Sequence, residues 1–119
     1  MTEENEILSQ FGNEFIKNAR DRTLKIYDKL TKSEMKSKDD LALSKKIKSL
    51  NFDDKLVMDD VVYEMVDLAL FNILNFLEER TQIEYEDANL NAITDDLAGE
   101  LYSDEGWIKK FSAYNASEK

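Results

Sequence analysis

Residues 61–79 read VVYEMVDLALFNILNFLEE, and how this stretch is read decides the fold. Twelve of the nineteen residues are apolar, and neither Gly nor Pro interrupts them. The polar positions Asp60, Glu64, Asp67, Asn75 and Glu78 recur at helical spacing as one narrow stripe, with Asn72 off it. A helix apolar over most of its circumference packs against several neighbours at once. The stretch therefore predicts a long central helix, from about 54 to 79, buried on most sides. Each apolar side chain fully buried there gains roughly 1.5–3 kcal/mol before entropy is subtracted.

Upstream, Leu8, Phe11, Phe15, Ala19, Ile26, Tyr27 and Leu30 recur every three or four residues, with Ile7 and Ile16 widening the stripe. That spacing predicts a first helix over about 3–30, with Thr2 as N-cap and Glu3, Glu4 and Glu6 complementing the dipole in its first turn. Gly12 inside it costs about 1 kcal/mol relative to Ala and suggests a close helix crossing. The polar run TKSEMKSK at 31–38 reads as a loop, and Ser37 with Asp40 resembles a capping signal. A short helix over about 39–50 follows, with Leu43, Ile47 and Leu50 turned inward.

Downstream, Thr81 and Glu84 form a second candidate capping box. Leu90, Ile93, Leu97 and Leu101 predict a fourth helix over about 87–102, and Trp107, Ile108, Phe111 and Tyr114 a short last one. The sum is an all-α, single-domain bundle of four to five helices over residues 1–114, followed by a frayed polar tail at 115–119. With 119 residues, 42% apolar, no Pro and three Gly, the composition suits such a bundle.

The missing residue types bound the chemistry. There is no Cys, hence no disulfide, thiolate site or cysteine nucleophile. There is no His, so the usual general base near neutral pH is absent. No Gly-rich phosphate loop is present. Any metal would sit among carboxylates, which selects hard ions. No apolar run reaches the roughly eighteen uncharged residues of a membrane span, and the acidic start MTEENEIL is unlike a secretory signal, so a cytoplasmic protein with no membrane partner is expected.

The net charge of −10 is unevenly spread. Residues 1–60 carry 12 basic and 13 acidic side chains, whereas 61–119 carry 4 and 13. Positions 78–106 hold ten acids against Arg80 alone, while 16–48 hold eleven Lys and Arg against five acids. A direct nucleic-acid partner is not expected, because phosphates need cations to displace their counterions. The acidic run reads either as a solvated face or as a surface for a basic protein. Ordered carboxylates on a rigid scaffold speed association by long-range attraction. On the second reading the partner-binding residues are Glu84, Glu86, Asp87, Asp95, Asp96, Glu100, Asp104 and Glu105. Trp107 would serve as an aromatic anchor, although closing the core is the plainer role for it. The opposed charge blocks also permit a homo-oligomer.

Glu64 and Asp67 remain. Three apart on one helical face, they are the wet edge of a buried helix or two carboxylate ligands to one divalent ion. The run E-M-V-D-L-A-L-F from Glu64 to Phe71 resembles the E-x-x-D helix of the MazG-type all-α nucleotide pyrophosphohydrolases. In that family an earlier helix supplies E-x-x-E, and the four acids hold magnesium on a triphosphate. The resemblance implies magnesium binding by Glu64 and Asp67. The only E-x-x-E in this chain is Glu3 to Glu6. The preferred expectation is a non-enzymatic protein without a cofactor: an inhibitor, antitoxin, immunity-like protein or phage-borne antagonist that binds a basic surface. A magnesium-dependent pyrophosphohydrolase is the alternative.

Overall fold

The computed structural model describes residues 3–103 and 105–114. The expected Thr2 cap, Asp104 and the 115–119 tail lie outside them. The fold is all-α and built on two long antiparallel rods. The first is continuous from Glu3 to Thr31: α1 (Glu3–Phe15), a π-helical segment (Ile16–Asp21) and α2 (Arg22–Thr31). The second is α4 (Phe52–Arg80), 29 residues long. Between them lies α3 (Lys38–Lys48). The C-terminal third folds as a two-stranded hairpin, β1 (Glu84–Tyr85) and β2 (Ala88–Asn89), then α5 (Leu90–Ile93), a 3-10 turn (Ala98–Leu101) and α6 (Trp107–Phe111). The molecule is elongated, 50 × 28 × 21 Å.

Local chemistry sets the helix starts. Ser37 caps α3 by accepting from the Asp40 N–H at 3.1 Å, as its spacing predicts. Asn51 caps α4 by accepting from the Asp54 N–H at 2.8 Å. Thr81, expected to open a helix, instead terminates α4 in extended geometry.

The inward line of the first rod is Gly12, Ile16, Arg20 and Leu24, all buried. Residues four apart drift by about 40° on an α-helix. The wider i→i+5 turn of the π segment reduces that drift and holds all four residues toward α4. The expected stripe was close to this line, but Ile26 is 44% exposed. A Cβ on Gly12 would lie 2.4 Å from the Trp107 indole, so the close crossing expected at this glycine is real: it admits α6 against α1.

The core gathers at one end. Ile16, Leu70, Leu74, Leu97, Ala98, Leu101, Trp107 and Ile108 form it, with Phe11, Phe15, Val66 and Phe71 packed around them. Phe11 meets Trp107 edge-on at 5.7 Å.

Two expectations are corrected. The first is the continuous helix over 87–102. Glu86 and Asp87 both adopt left-handed φ, 50° and 63°, which turns the chain into a hairpin, and Thr94 is extended. Side chains then hold the irregular path. Asn91 accepts from the Ile83 N–H and donates to the Glu78 carbonyl, and the Glu78 carboxylate accepts from the Leu97 N–H at 2.9 Å. The second is the enclosure of α4. Only Leu70 and Leu74 on it are fully buried, while Val57, Val61, Met65, Leu68, Ile73 and Phe76 are 43–63% exposed. The helix is covered on one face and open on the other, because the C-terminal third packs at one side and, among the described residues, no element crosses behind. On α3, Leu43 is likewise exposed, and Ser44 and Ile47 take the inward positions.

Candidate functional site

Asp67 does not look out into solvent. It receives a bidentate ion pair from Arg20, whose Nε donates to Oδ1 at 2.6 Å and Nη2 to Oδ2 at 3.3 Å. Arg20 itself is 0% exposed, yet each of its three nitrogens is bonded: Nη1 donates to Ser112 Oγ at 2.7 Å and to the Tyr114 carbonyl. Its guanidinium also lies 5.6 Å from the centre of the Tyr63 ring. Asp21, one residue on, accepts from the Ser112 hydroxyl at 2.5 Å and the Ala113 N–H at 2.9 Å. A buried charge is tolerated only when paired and hydrogen-bonded, and this network satisfies both conditions. It ties the π segment, α4 and the C-terminal strap together. The signal for it was present in the sequence: an arginine on the inward line of one helix and an aspartate within the apolar stretch of another.

Glu64 remains exposed on α4. Glu3 and Glu6, the other half of the resemblance, sit on the first turn of α1, and Glu6 lies fourteen residues before Arg20, roughly 20 Å along the rod. Among the described residues no three carboxylates gather in metal-binding geometry. With Asp67 held by Arg20, the pair read as possible magnesium ligands is split into a structural acid and a free one.

Trp107 is corrected as a partner anchor. It is 4% exposed and belongs to the core, where its ring fills the space that Gly12 vacates. The acids expected to bind a partner divide by what holds them. Glu84, Glu86, Asp87, Asp95, Asp96 and Glu105 are exposed. Asp96 also accepts from the Gly99 N–H at 3.0 Å, and half-buried Glu100 accepts from the Thr94 hydroxyl at 2.9 Å. Asp104 is outside the described residues.

The fold adds acids that sequence proximity did not suggest. Helix α1 packs on α5 and α6, and the Tyr85 hydroxyl donates to Glu14 at 2.6 Å. That hydrogen bond, with some desolvation, pushes the Tyr85 phenol up to about 12. Glu100, Glu105, Trp107 and Lys110 line a shallow depression with Asn5 and Ser9 of α1. Glu3, Glu4, Glu6 and Glu14 therefore join the nine described acids of 78–106 at one end of the rod, against Arg80, Lys109 and Lys110. In the sequence these four belong to a nearly neutral half; antiparallel packing of the rods moves them to the acidic end.

At the opposite end a cleft of about 350 Å³ opens between α2, α3 and the first half of α4. Leu24, Tyr27, Asp28, Phe52, Asp59 and Tyr63 line it. The Tyr27 hydroxyl donates to Asp59 at 2.5 Å; burial first, and this bond second, push its phenol well above the ordinary range. Burial likewise raises Tyr63. The lysines of α2 and α3 surround this end.

No protein-family model, curated protein or solved structure matches the chain. Among the described residues no helix is long and apolar enough to cross a membrane.

Proposed function

We propose that the chain is a small non-enzymatic interaction protein of the cytoplasm whose acidic end docks on a basic protein surface, in the manner of an inhibitor, antitoxin, immunity-like protein or phage-borne antagonist. One observation carries this reading: thirteen acids among the described residues, against Arg80, Lys109 and Lys110, are gathered at the end of the rod that also holds the packed core. A rigid support matters, because carboxylates that need no ordering on binding lose little entropy and project a field beyond the first contact. Glu84, Glu86, Asp95 and Glu105 are exposed with no structural hydrogen bond assigned to their side chains, and are the residues best placed to make the first electrostatic contact.

The test is kinetic. A basic partner captured at low salt is bound to the immobilised chain, and its association rate is compared with that of the Glu84→Gln, Glu86→Gln, Asp95→Asn, Glu105→Gln variant. Asp96 and Glu100 are left intact because they hold the 94–100 turn. The association rate should fall about tenfold with a smaller change in dissociation, and the difference should shrink as salt shortens the screening length. Unchanged kinetics, or retention identical at low and high salt, would remove the acidic end from the reading.

A further inference from the structure

The open face of α4 is the largest feature that an acidic docking end leaves unused. Val57, Val61, Met65, Leu68 and Phe76 follow one another at spacings of four, four, three and eight, so they form one line on the side of the helix opposite Leu70 and Leu74. They are 43–63% exposed, and Ile73 beside them is 49% exposed. Scattered apolar residues on a surface are ordinary; a continuous line of this length on one helix is not. Glu64 borders the line four residues before Leu68 and Asn72 lies within it; no other charge falls on it as far as Glu78, since Asp67 is turned inward to Arg20.

We infer that this face pairs with the same face of a second copy, the two α4 helices running antiparallel about a two-fold axis. Two observations select this occupant. The first is area. Six large side chains, each about half exposed, together with Ala69 and Asn72 offer on the order of 700 Å² per chain, close to the roughly 800 Å² per partner of a standard interface. The second is charge. The stripe from Val57 to Phe76 is centred on the middle of α4 (Phe52–Arg80). Antiparallel pairing in full overlap therefore sets the acidic end of each copy beside the α2–α3 end of the other, where residues 22–50 hold nine Lys and Arg against four acids. Parallel pairing would set acidic end against acidic end. In the antiparallel arrangement Met65 meets Leu68 near the axis, and Val57 meets Phe76 at each margin. The pair carries two acidic ends at opposite poles, each beside the partner's basic end, and the C-terminal third packs on the covered Leu70 and Leu74 side of α4, away from the seam.

Sedimentation equilibrium on the full chain tests this at micromolar concentrations. The chain should sediment at twice its 13.8 kDa mass. Met65→Glu with Leu68→Glu should weaken the dimer at least about a hundredfold while the helical circular dichroism stays unchanged, because both side chains already face away from the core. Orientation is read with a nitroxide on Asp53→Cys, the only thiol in a chain without cysteine. Antiparallel helices place the two labels about 40 Å apart, and parallel ones near the roughly 10 Å spacing of packed helices. A monomer at every concentration, a dimer that survives the double glutamate variant, or short label distances would each overturn the inference. A monomeric chain that still binds a basic partner through its acidic end would sink this dimer and leave that reading standing.

Discussion

The two ends of the rod solve the folding problem differently. At the acidic end, α1, the second half of α4 and the C-terminal third enclose Ile16, Leu74, Leu97, Leu101 and Trp107, with aromatic rings filling the gaps. At the other end α2, α3 and the first half of α4 bury only Leu24, Ser44 and Ile47 and leave an open cleft. The charge follows the same division, since acids dominate the packed end and lysines surround the open one. Where hydrophobic packing is dense, the surface is free to carry one sign of charge at a cost in self-repulsion that the core offsets. At the open end opposed charges are interspersed, as on α2 with Asp28 and Lys32 at 3.0 Å. Joining the ends is the Arg20 network, a polar clasp at the middle of the rod.

That clasp gives the largest expected effect. Arg20→Ala would leave Asp67 without its partner and remove the Arg20 bonds to Ser112 and Tyr114 that help hold the 112–114 strap, at a cost of about 3–5 kcal/mol. Urea unfolding measures it, and a loss under about 1 kcal/mol would mean that the two ends hold together without the clasp.

Next comes the contrast between the cores. Leu74→Ala, at 1% exposure within the packed end, should cost about 3 kcal/mol, near the middle of the range for such deletions. Ile47→Ala, beside a cleft that allows its surroundings to relax, should cost about half as much. Equal losses would erase the distinction drawn between the ends.

The smallest effect is in alkali. Tyr27 and Tyr63 at the open end, and Tyr85 and Tyr102 at the packed end, all hold their phenol protons more tightly than the ordinary value of 10.0. For a group whose folded pKa is raised, the stability it contributes is complete below the unfolded value and is lost as pH climbs through the folded one. Melting midpoints should hold to about pH 10 and then fall, with Tyr85 losing its proton near 12. Tyr27→Phe should flatten part of that fall, since its phenol combines burial with the Asp59 bond; an unaltered profile would take the open end out of the account.

Much of this was legible in the residues, and the misses have a common cause. The Ser37 cap, the Gly12 crossing and the extent of α4 follow from interactions within a turn or two, or from the absence of a side chain. Glu86 and Asp87 gave no Asn-Gly signature, so the hairpin they form was hidden in an apolar period compatible with helix. Trp107 was read both ways, and the deciding fact was the gap at Gly12, ninety-five residues away. Asp67 shared a face with Glu64 in the sequence, yet only the partner helix supplies the guanidinium that separates their roles.

The sequence by itself determined the two long rods, the α3 helix with its Ser37 cap and the uneven charge, because these depend on neighbours three or four residues apart. Tertiary structure decided which part of an almost wholly apolar helix is covered, which acids share an end, and which aspartate is neutralised from within. Periodicity states that a surface is apolar; it carries no information about how many neighbours the rest of the chain can spare to cover it. Here a C-terminal third spent on one end of the rod leaves α4 half bare.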